Sequence, residues 1–579
     1  MKIPPPCREL AIKIKKQFSD VRQFFWLLLT FYAFFVFQKC ILATCEVKYN
    51  VLYECLLTAW VLSPLLLWHN LWLRIWCTSV MTVSIMLHIV TLITGLIYHV
   101  NAAPTIWEVI ASSSWLEIRE FLASFSKITV FASAAGICIV FAGCILLMLM
   151  VTRKKYVTST IRIRRIALHL PFLLCFIPYT ITVVWYLSIS KPDKIFRKNI
   201  VLHYGYEYNF FKTKLDCLAK LNQQPPPYQS VKFQADTSDM LGVIVIGESA
   251  IRNHLGCYGY SRDTTPYLSG MKNELLLFDN IISASAVTPD ALKYLFTDAT
   301  LEQKKFSPKS SLVQILYYLN AETYYASNQG RWGHYNLPSV ILFDKATEVK
   351  FLPVKKDFSD YDEALLPDFL RILNIPTVQK PRFIFLHLMG SHRNFEWRVP
   401  KQEIRFKHDF RDNISLQDQS DNFYKELNAY DSTIAYTDKV LGKIIDELKK
   451  QKNRPVFFFY VSDHGEFLNA QGVLKRSYQC TVRDAYEIPF VFWFNDEYAA
   501  RFPTTIQHAR NNLHKLAQTD RLLPTLCSAM QITWLDFPEN NNLFSPHFVP
   551  HDKVYSATGA STEFTDKSGQ KVIFEKIKK

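Results

Sequence analysis

Two apolar runs end on residues that can do chemistry. Leu241–Ile246 is followed by Gly247-Glu248-Ser249, and Val456–Val461 by Ser462-Asp463-His464-Gly465-Glu466. Read as strands, they bring two carboxylates and an imidazole to strand carboxyl ends, where open α/β sheets bind ligands. Oxygen from Glu248 and Asp463 with nitrogen from His464 is a donor set suited to tetrahedral zinc. Three protein ligands leave one position open, and a hydroxyl placed there is acidified by the metal charge. A threonine so placed could attack phosphorus. The candidate is Thr288, in Ser283-Ala284-Ser285-Ala286-Val287-Thr288-Pro289-Asp290. Proline suits the first turn of a helix, and a helix N-terminus offers free amides to a phosphate. Plainer roles compete: Glu248 as a helix-capping carboxylate, Thr288 as an N-cap, and Ser283, Ser285 or Thr297 as the nucleophile.

The elements that must position these residues are legible from Leu241 onward. Short runs rich in Val, Ile and Phe, including Phe383–Leu388 and Phe490–Phe494, alternate with polar helical stretches such as Tyr424–Lys450. That alternation predicts an α/β domain with a mainly parallel sheet between helices, its strands buried on both faces. The charge-rich helix 424–450 reads as a solvated face without chemistry.

The first third has a different texture. Five stretches are long and apolar enough to span a bilayer: Phe24–Leu42, Val51–Trp68, Leu71–Tyr98, Ile128–Val151 and Ile166–Ser188. Basic residues cluster at Lys2–Arg22 and Arg153–Arg165. Both flanks belong inside, so the N-terminus is cytoplasmic and five spans carry everything after about Ser190 outside. The formal net charge of +15 is thus a membrane pattern and not a nucleic-acid footprint. Glu54 and Arg74 lie near span ends and are expected to snorkel, which disfavours a transport pathway lined by intramembrane charge. The expected division is a transmembrane domain 1–190, a bridge 191–236 and an outer domain 237–579. In the bridge, Pro225-Pro226-Pro227 favours an extended spacer. Trp107, Trp115, Leu116 and Phe121 suit either an interfacial amphipathic segment or an ordinary loop. Cys217, Cys257, Cys480 and Cys527 allow at most two disulfides in the outer domain, and their spacing selects no pairing.

Val245-Ile246-Gly247-Glu248-Ser249, Tyr258-Gly259-Tyr260-Ser261-Arg262-Asp263-Thr264-Thr265-Pro266 and Ser462-Asp463-His464-Gly465-Glu466 together resemble the lipopolysaccharide phosphoethanolamine transferases of the alkaline phosphatase/sulfatase superfamily. The five-helix anchor fits that family. The resemblance implies a bacterial inner-membrane enzyme with a periplasmic catalytic domain. It further implies Zn2+ held by Glu248, Thr288, Asp463 and His464, and a phosphoethanolamine intermediate on Thr288. The donor would be the membrane lipid phosphatidylethanolamine and the acceptor lipopolysaccharide, with core heptose favoured and lipid A the other choice. In His387-Leu388-Met389-Gly390-Ser391-His392, His392 matches a histidine near the transferred phosphate or a further zinc, and His387 a substrate contact. Ser327-Asn328-Gln329-Gly330-Arg331 resembles a substrate loop, with Asn328 and Arg331 as contacts. The chain departs from the family at Arg393-Asn394, where Gly-Pro is usual, and at Lys475-Arg476, which occupy the region where the family usually has a further histidine. The resemblance therefore names no leaving-group acid and no second-metal ligand. A sulfatase is disfavoured because the signature Cys or Ser followed by x-Pro-x-Arg is absent around Thr288. A glycerol-phosphate transferase of the same superfamily, or a membrane sensor or transporter with a metal-binding outer domain, are the other readings.

Overall fold

The computed structural model describes residues 29, 31–40, 50–62, 71–98, 107, 199–303, 306–329, 338–352, 361–376, 379–407, 421–466, 468, 483–556, 562–565 and 571–576. These form two compact units, which part between Phe211 and Lys212.

In the first unit, helix α1 spans Val51–Leu62 and α2 spans Leu71–Tyr98. Among the described residues, α2 is the one helix long and apolar enough to cross a membrane. Trp72, Ile75, Trp76, Val83 and Met86 are exposed along it, while Cys77, Met81 and Ile85 pack inward on Phe31, Phe35 and Val61. Large apolar side chains facing outward suit a lipid surroundings and not water. The expected spans 128–151 and 166–188 and the basic loop 153–165 lie outside the described residues.

Glu54 departs from expectation. It is 1% exposed, so it does not snorkel. Its carboxylate accepts from Asn199 Nδ2 at 2.7 Å and from the Ile200 backbone N–H, and lies 3.2 Å from His88 Nε2. Gln38 completes the cluster through His88 Nδ1 at 2.7 Å. Burial forces the carboxylate to find partners, and the first turn of a helix supplies one. That helix, α3 (Ile200–Leu221), also corrects the extended bridge: most of the segment before Pro225 is helical, and the boundary between the units falls inside it.

The second unit is built on a seven-stranded sheet. Its strands are β1 (Leu241–Gly247), β2 (Leu275–Phe278), β3 (Glu322–Ser327), β4 (Glu348–Phe351), β5 (Arg382–His387), β6 (Val456–Ser462) and β7 (Phe490–Phe494). They lie in the order β2-β7-β6-β1-β5-β3-β4. Pairing is parallel from β6 to β4 and antiparallel at β7 and β2. The run 490–494 is thus a strand, but it opposes the parallel set. Side chains alternate between two cores. Ile244, Ile246, Phe383, Phe385, Phe457 and Phe459 enter one; Val243, Val245, Ile384, Leu386, Phe458 and Tyr460 enter the other. Burial on both faces explains why these strands read as unbroken apolar runs.

The register decides what the sheet presents. Ile246 pairs with His387, Gly247 with Ser462 and Ser327 with His387, so four adjacent parallel strands end level with one another. Over the second core lies the long helix Asp421–Lys449, with Tyr430, Ile434, Leu441, Ile444, Ile445 and Leu448 buried. It is therefore more than a solvated face.

Candidate active site

Glu248 and Asp463 are the first residues beyond β1 and β6, and the level register sets them side by side. With His464 they form a buried group whose ligand atoms all lie within 4.8 Å of one another. Ser249 turns the chain away from β1 with φ 57°, and its N–H donates to Asp463 Oδ1 at 3.1 Å. Its hydroxyl donates to Glu248 Oε1 at 2.6 Å. Tyr430 fixes this turn from the long helix, donating to Ser249 O and accepting from the Ile251 N–H, each at 2.8 Å.

His464 Nδ1 lies 2.6 Å from Gly465 O. A carbonyl can only accept, so Nδ1 carries a proton, which leaves Nε2 as the ring atom that can offer a lone pair to a metal. That Nε2 is 3.3 Å from Asp463 Oδ2 and 3.5 Å from Glu248 Oε1. Gly465 is required by backbone proximity: a Cβ there would stand 1.9 Å from Asp484 O. Burial, then repulsion from Glu248, pushes the Asp463 carboxyl well above its ordinary range, with His464 opposing. Asp463 Oδ2 is buried and accepts no hydrogen bond. Two crowded carboxylates, an orphaned oxygen and an inward imidazole lone pair fit a zinc ion, whose charge would relieve the repulsion and satisfy the oxygen.

Thr288 opens helix α4, Thr288–Leu295, whose N-cap is Val287 with no side-chain cap bond. The Thr288 hydroxyl instead donates to Glu248 Oε2 at 2.9 Å and lies 3.3 Å from His464 Nε2. The rival hydroxyls are buried and committed elsewhere. Ser283 donates to Asp463 O at 2.6 Å, Ser285 accepts from Val287 N–H at 3.3 Å, and Thr297 donates to Lys293 O at 2.6 Å.

The remaining candidates separate. His387 ends β5, buried, with Nδ1 2.8 Å from Tyr325 Oη and Nε2 without a partner. Burial pushes its pKa down to about 4, with Glu248 opposing, so it is neutral near pH 7. His392 lies in the turn after β5, one residue past Ser391, whose N–H donates to Glu248 O at 2.9 Å. Asn328 donates to Asp362 Oδ1 at 2.7 Å. Its neighbour Gln329, which the sequence did not single out, donates to Glu248 Oε2 at 3.0 Å and to Leu388 O at 3.1 Å. Arg331 and Lys475-Arg476 lie outside the described residues.

The 258–266 motif is fastening, not ligation. Arg262 donates to Asn428 Oδ1 and Asp431 Oδ2, each at 2.8 Å, and Tyr260 to Asp431 Oδ2 at 3.0 Å. Tyr258 donates to Phe490 O at 3.0 Å. These contacts clamp the segment to the long helix and to β7. Cys217, Cys257 and Cys527 are free thiols, and Cys480 lies outside the described residues.

The chain is similar to the phosphoethanolamine transferase EptC of Escherichia coli K12, 25% identical over 356 residues that cover 59% of this chain and 60% of the relative. It thus spans about 60% of that relative's length. Among solved structures, a zinc complex of the periplasmic domain of Escherichia coli EptC shares the fold at TM-score 0.52 and 23% identity, covering 57% of this chain and 92% of that one. The integral membrane lipooligosaccharide phosphoethanolamine transferase A of Neisseria meningitidis does so at TM-score 0.59 and 17% identity, covering 85% and 90%. The second unit is therefore a sulfatase-like α/β domain with a mainly parallel sheet. The sulfatase family model matches residues 241–532, about half of the chain, and the chain belongs to the sulfatase family.

Proposed function

We propose that this protein is an inner-membrane transferase whose periplasmic domain moves phosphoethanolamine from phosphatidylethanolamine to lipopolysaccharide, core heptose being the favoured acceptor, through a covalent intermediate on Thr288. The observation that carries this reading is the aim of Thr288: its hydroxyl faces the buried Glu248, Asp463 and His464 group and takes no part in capping its helix. Relatives named as phosphoethanolamine transferases support the transferred group.

Glu248, Asp463 and His464 would hold zinc beside Thr288, and the ion when bound supplies a positive charge that acidifies a hydroxyl and balances the carboxylates. The chain's own residues do the rest. Glu248 Oε2 orients the Thr288 hydroxyl and stands where its proton can go. Thr288 Oγ1 bonds to phosphorus as the bond to the diacylglycerol oxygen breaks, and an acceptor oxygen then displaces Thr288 in a second in-line step. The family resemblance assigns His392, in the turn after β5, to the transferred phosphate, while the neutral His387 adds no charge. Anchoring in the bilayer confines the enzyme with its lipid donor and acceptor, raising their effective concentration.

The test is mass spectrometry of lipopolysaccharide from cells carrying the gene, lacking it, or carrying Thr288→Ala. Phosphoethanolamine on the core sugars should appear only with the intact gene. Identical lipopolysaccharide in all three strains refutes the reading, and a glycerol-phosphate mass in place of phosphoethanolamine reassigns the transferred group.

A further inference from the structure

Asp362 belongs to none of the segments that mark the site. It begins a short helical turn, Asp362–Leu365, and is 4% exposed. Its carboxylate collects three neutral donors. Oδ1 accepts from Asn328 Nδ2 at 2.7 Å and from the Met389 N–H at 2.8 Å. Oδ2 accepts from the Gly390 N–H at 2.9 Å. Burial pushes the carboxyl up, and these same bonds oppose the shift.

The donors stand on both flanks of Glu248. On the β5 side, Gly390 has φ 47° and sits so close that a Cβ would lie 2.9 Å from Glu248 O. Ser391 then donates to Glu248 O at 2.9 Å, and His392 follows. On the β3 side, Asn328 precedes Gln329, whose amide reaches Glu248 Oε2 at 3.0 Å. One carboxylate therefore holds both arms that close on Glu248: the turn bearing His392 and the strand end bearing Gln329.

We infer that Asp362 is a positioning residue for this site, fixing the His392 turn and the Gln329 arm so that the transfer step depends on it while metal and lipid binding do not. The inference rests on the proposed phosphotransfer reading. Its physical basis is that a hydrogen-bonded carboxylate behind a reacting group sets orientation to a fraction of an ångström, and a small misplacement is costly in rate. Asp362→Asn keeps the size but replaces one acceptor oxygen with a donor, so it cannot serve both the Met389/Asn328 side and the Gly390 side.

The test uses the full chain in detergent. Asp362→Asn should retain zinc and the KM for phosphatidylethanolamine while kcat falls about 10- to 100-fold. Amide hydrogen exchange in a peptide spanning Met389–His392 should accelerate, while exchange in Leu241–Gly247 stays slow. Asp362→Glu restores both acceptors on a longer arm and should recover part of kcat; it also decides the matter should the Asn variant not fold. Wild-type kcat and exchange in the folded variants, or zinc lost in step with kcat, overturns the positioning role. The exchange readout needs no turnover, so failure of the proposed reaction, seen as an inactive wild type, is distinguishable from failure of this inference.

Discussion

Replacing Thr288 with alanine separates a nucleophile from a structural hydroxyl, and the structure sets the size of each effect. The side chain makes no cap bond, so the roughly 1 kcal/mol attached to an N-cap is not at stake. What is lost is the 2.9 Å bond to Glu248. Bonds to charged groups are worth about 1.5–3 kcal/mol. Glu248 still accepts from Ser249 Oγ at 2.6 Å and Gln329 Nε2 at 3.0 Å, so the net cost belongs near the bottom of that range. A loss of about 1–2 kcal/mol from a typical stability of 5–15 kcal/mol leaves the protein almost wholly folded. Loss of fold therefore cannot account for a large fall in rate. Removing a covalent nucleophile should lower turnover by about 10⁴-fold or more. The assay is purification in detergent followed by zinc content, melting temperature and turnover of phosphatidylethanolamine on one sample. Wild-type enzyme given the donor without acceptor should carry phosphoethanolamine on the peptide containing Thr288, and Thr288→Ser should keep part of the activity through its own hydroxyl. An active Thr288→Ala enzyme refutes the reasoning, as does an adduct on Ser283, Ser285 or Thr297.

Glu248→Ala, Asp463→Ala and His464→Ala should each lose zinc and transfer while still inserting in the membrane; full metal occupancy by elemental analysis in all three would sink the proposed centre. Gly465→Ala drives a Cβ to within 1.9 Å of Asp484 O, which the backbone must relieve by moving at a cost of about 3 kcal/mol; a variant with wild-type melting temperature and zinc content contradicts this. His551 is 6% exposed, and burial followed by Arg521 pushes its pKa down to about 4. Between about pH 6.5 and that value the unfolded chain takes up a proton that the folded one refuses, so stability falls as pH falls, by about 3 kcal/mol in all. Asp438 and Asp520, pushed up to about 6 by burial, act in the opposite sense, so the comparison is with His551→Leu. That variant should lose less stability on acidification, and an unchanged dependence of melting temperature on pH rejects the assignment.

Much of this site was legible because its chemistry sits at the ends of buried strands. Unbroken apolar runs at 241–246 and 456–461 mark strands covered on both faces, and the next residues must lie at the carboxyl edge, which exposes Glu248, Asp463 and His464 as candidates from local pattern alone. Thr288 was legible as a helix start beside proline and as a candidate nucleophile, but the direction of its hydroxyl was not. Whether a hydroxyl at the head of a helix turns back to cap it or reaches toward a carboxylate 40 residues away depends on where the helix is docked.

Local pattern therefore determined an apolar first third, an α/β domain after it and the residue types at its sheet edge. The tertiary structure alone decided which of them meet. Level register of four parallel strands, Ser327 with His387 and Ile246, and Gly247 with Ser462, brings Gln329 and the His392 turn onto Glu248. Asp362, Tyr430 and the buried Glu54 gained their partners in the same way, from residues 27, 181 and 146 positions distant. Polar side chains of this kind carry no periodic signal, because burial obliges each to find a donor or acceptor wherever the packed chain supplies one, and that supply is fixed only when the sheet closes its register.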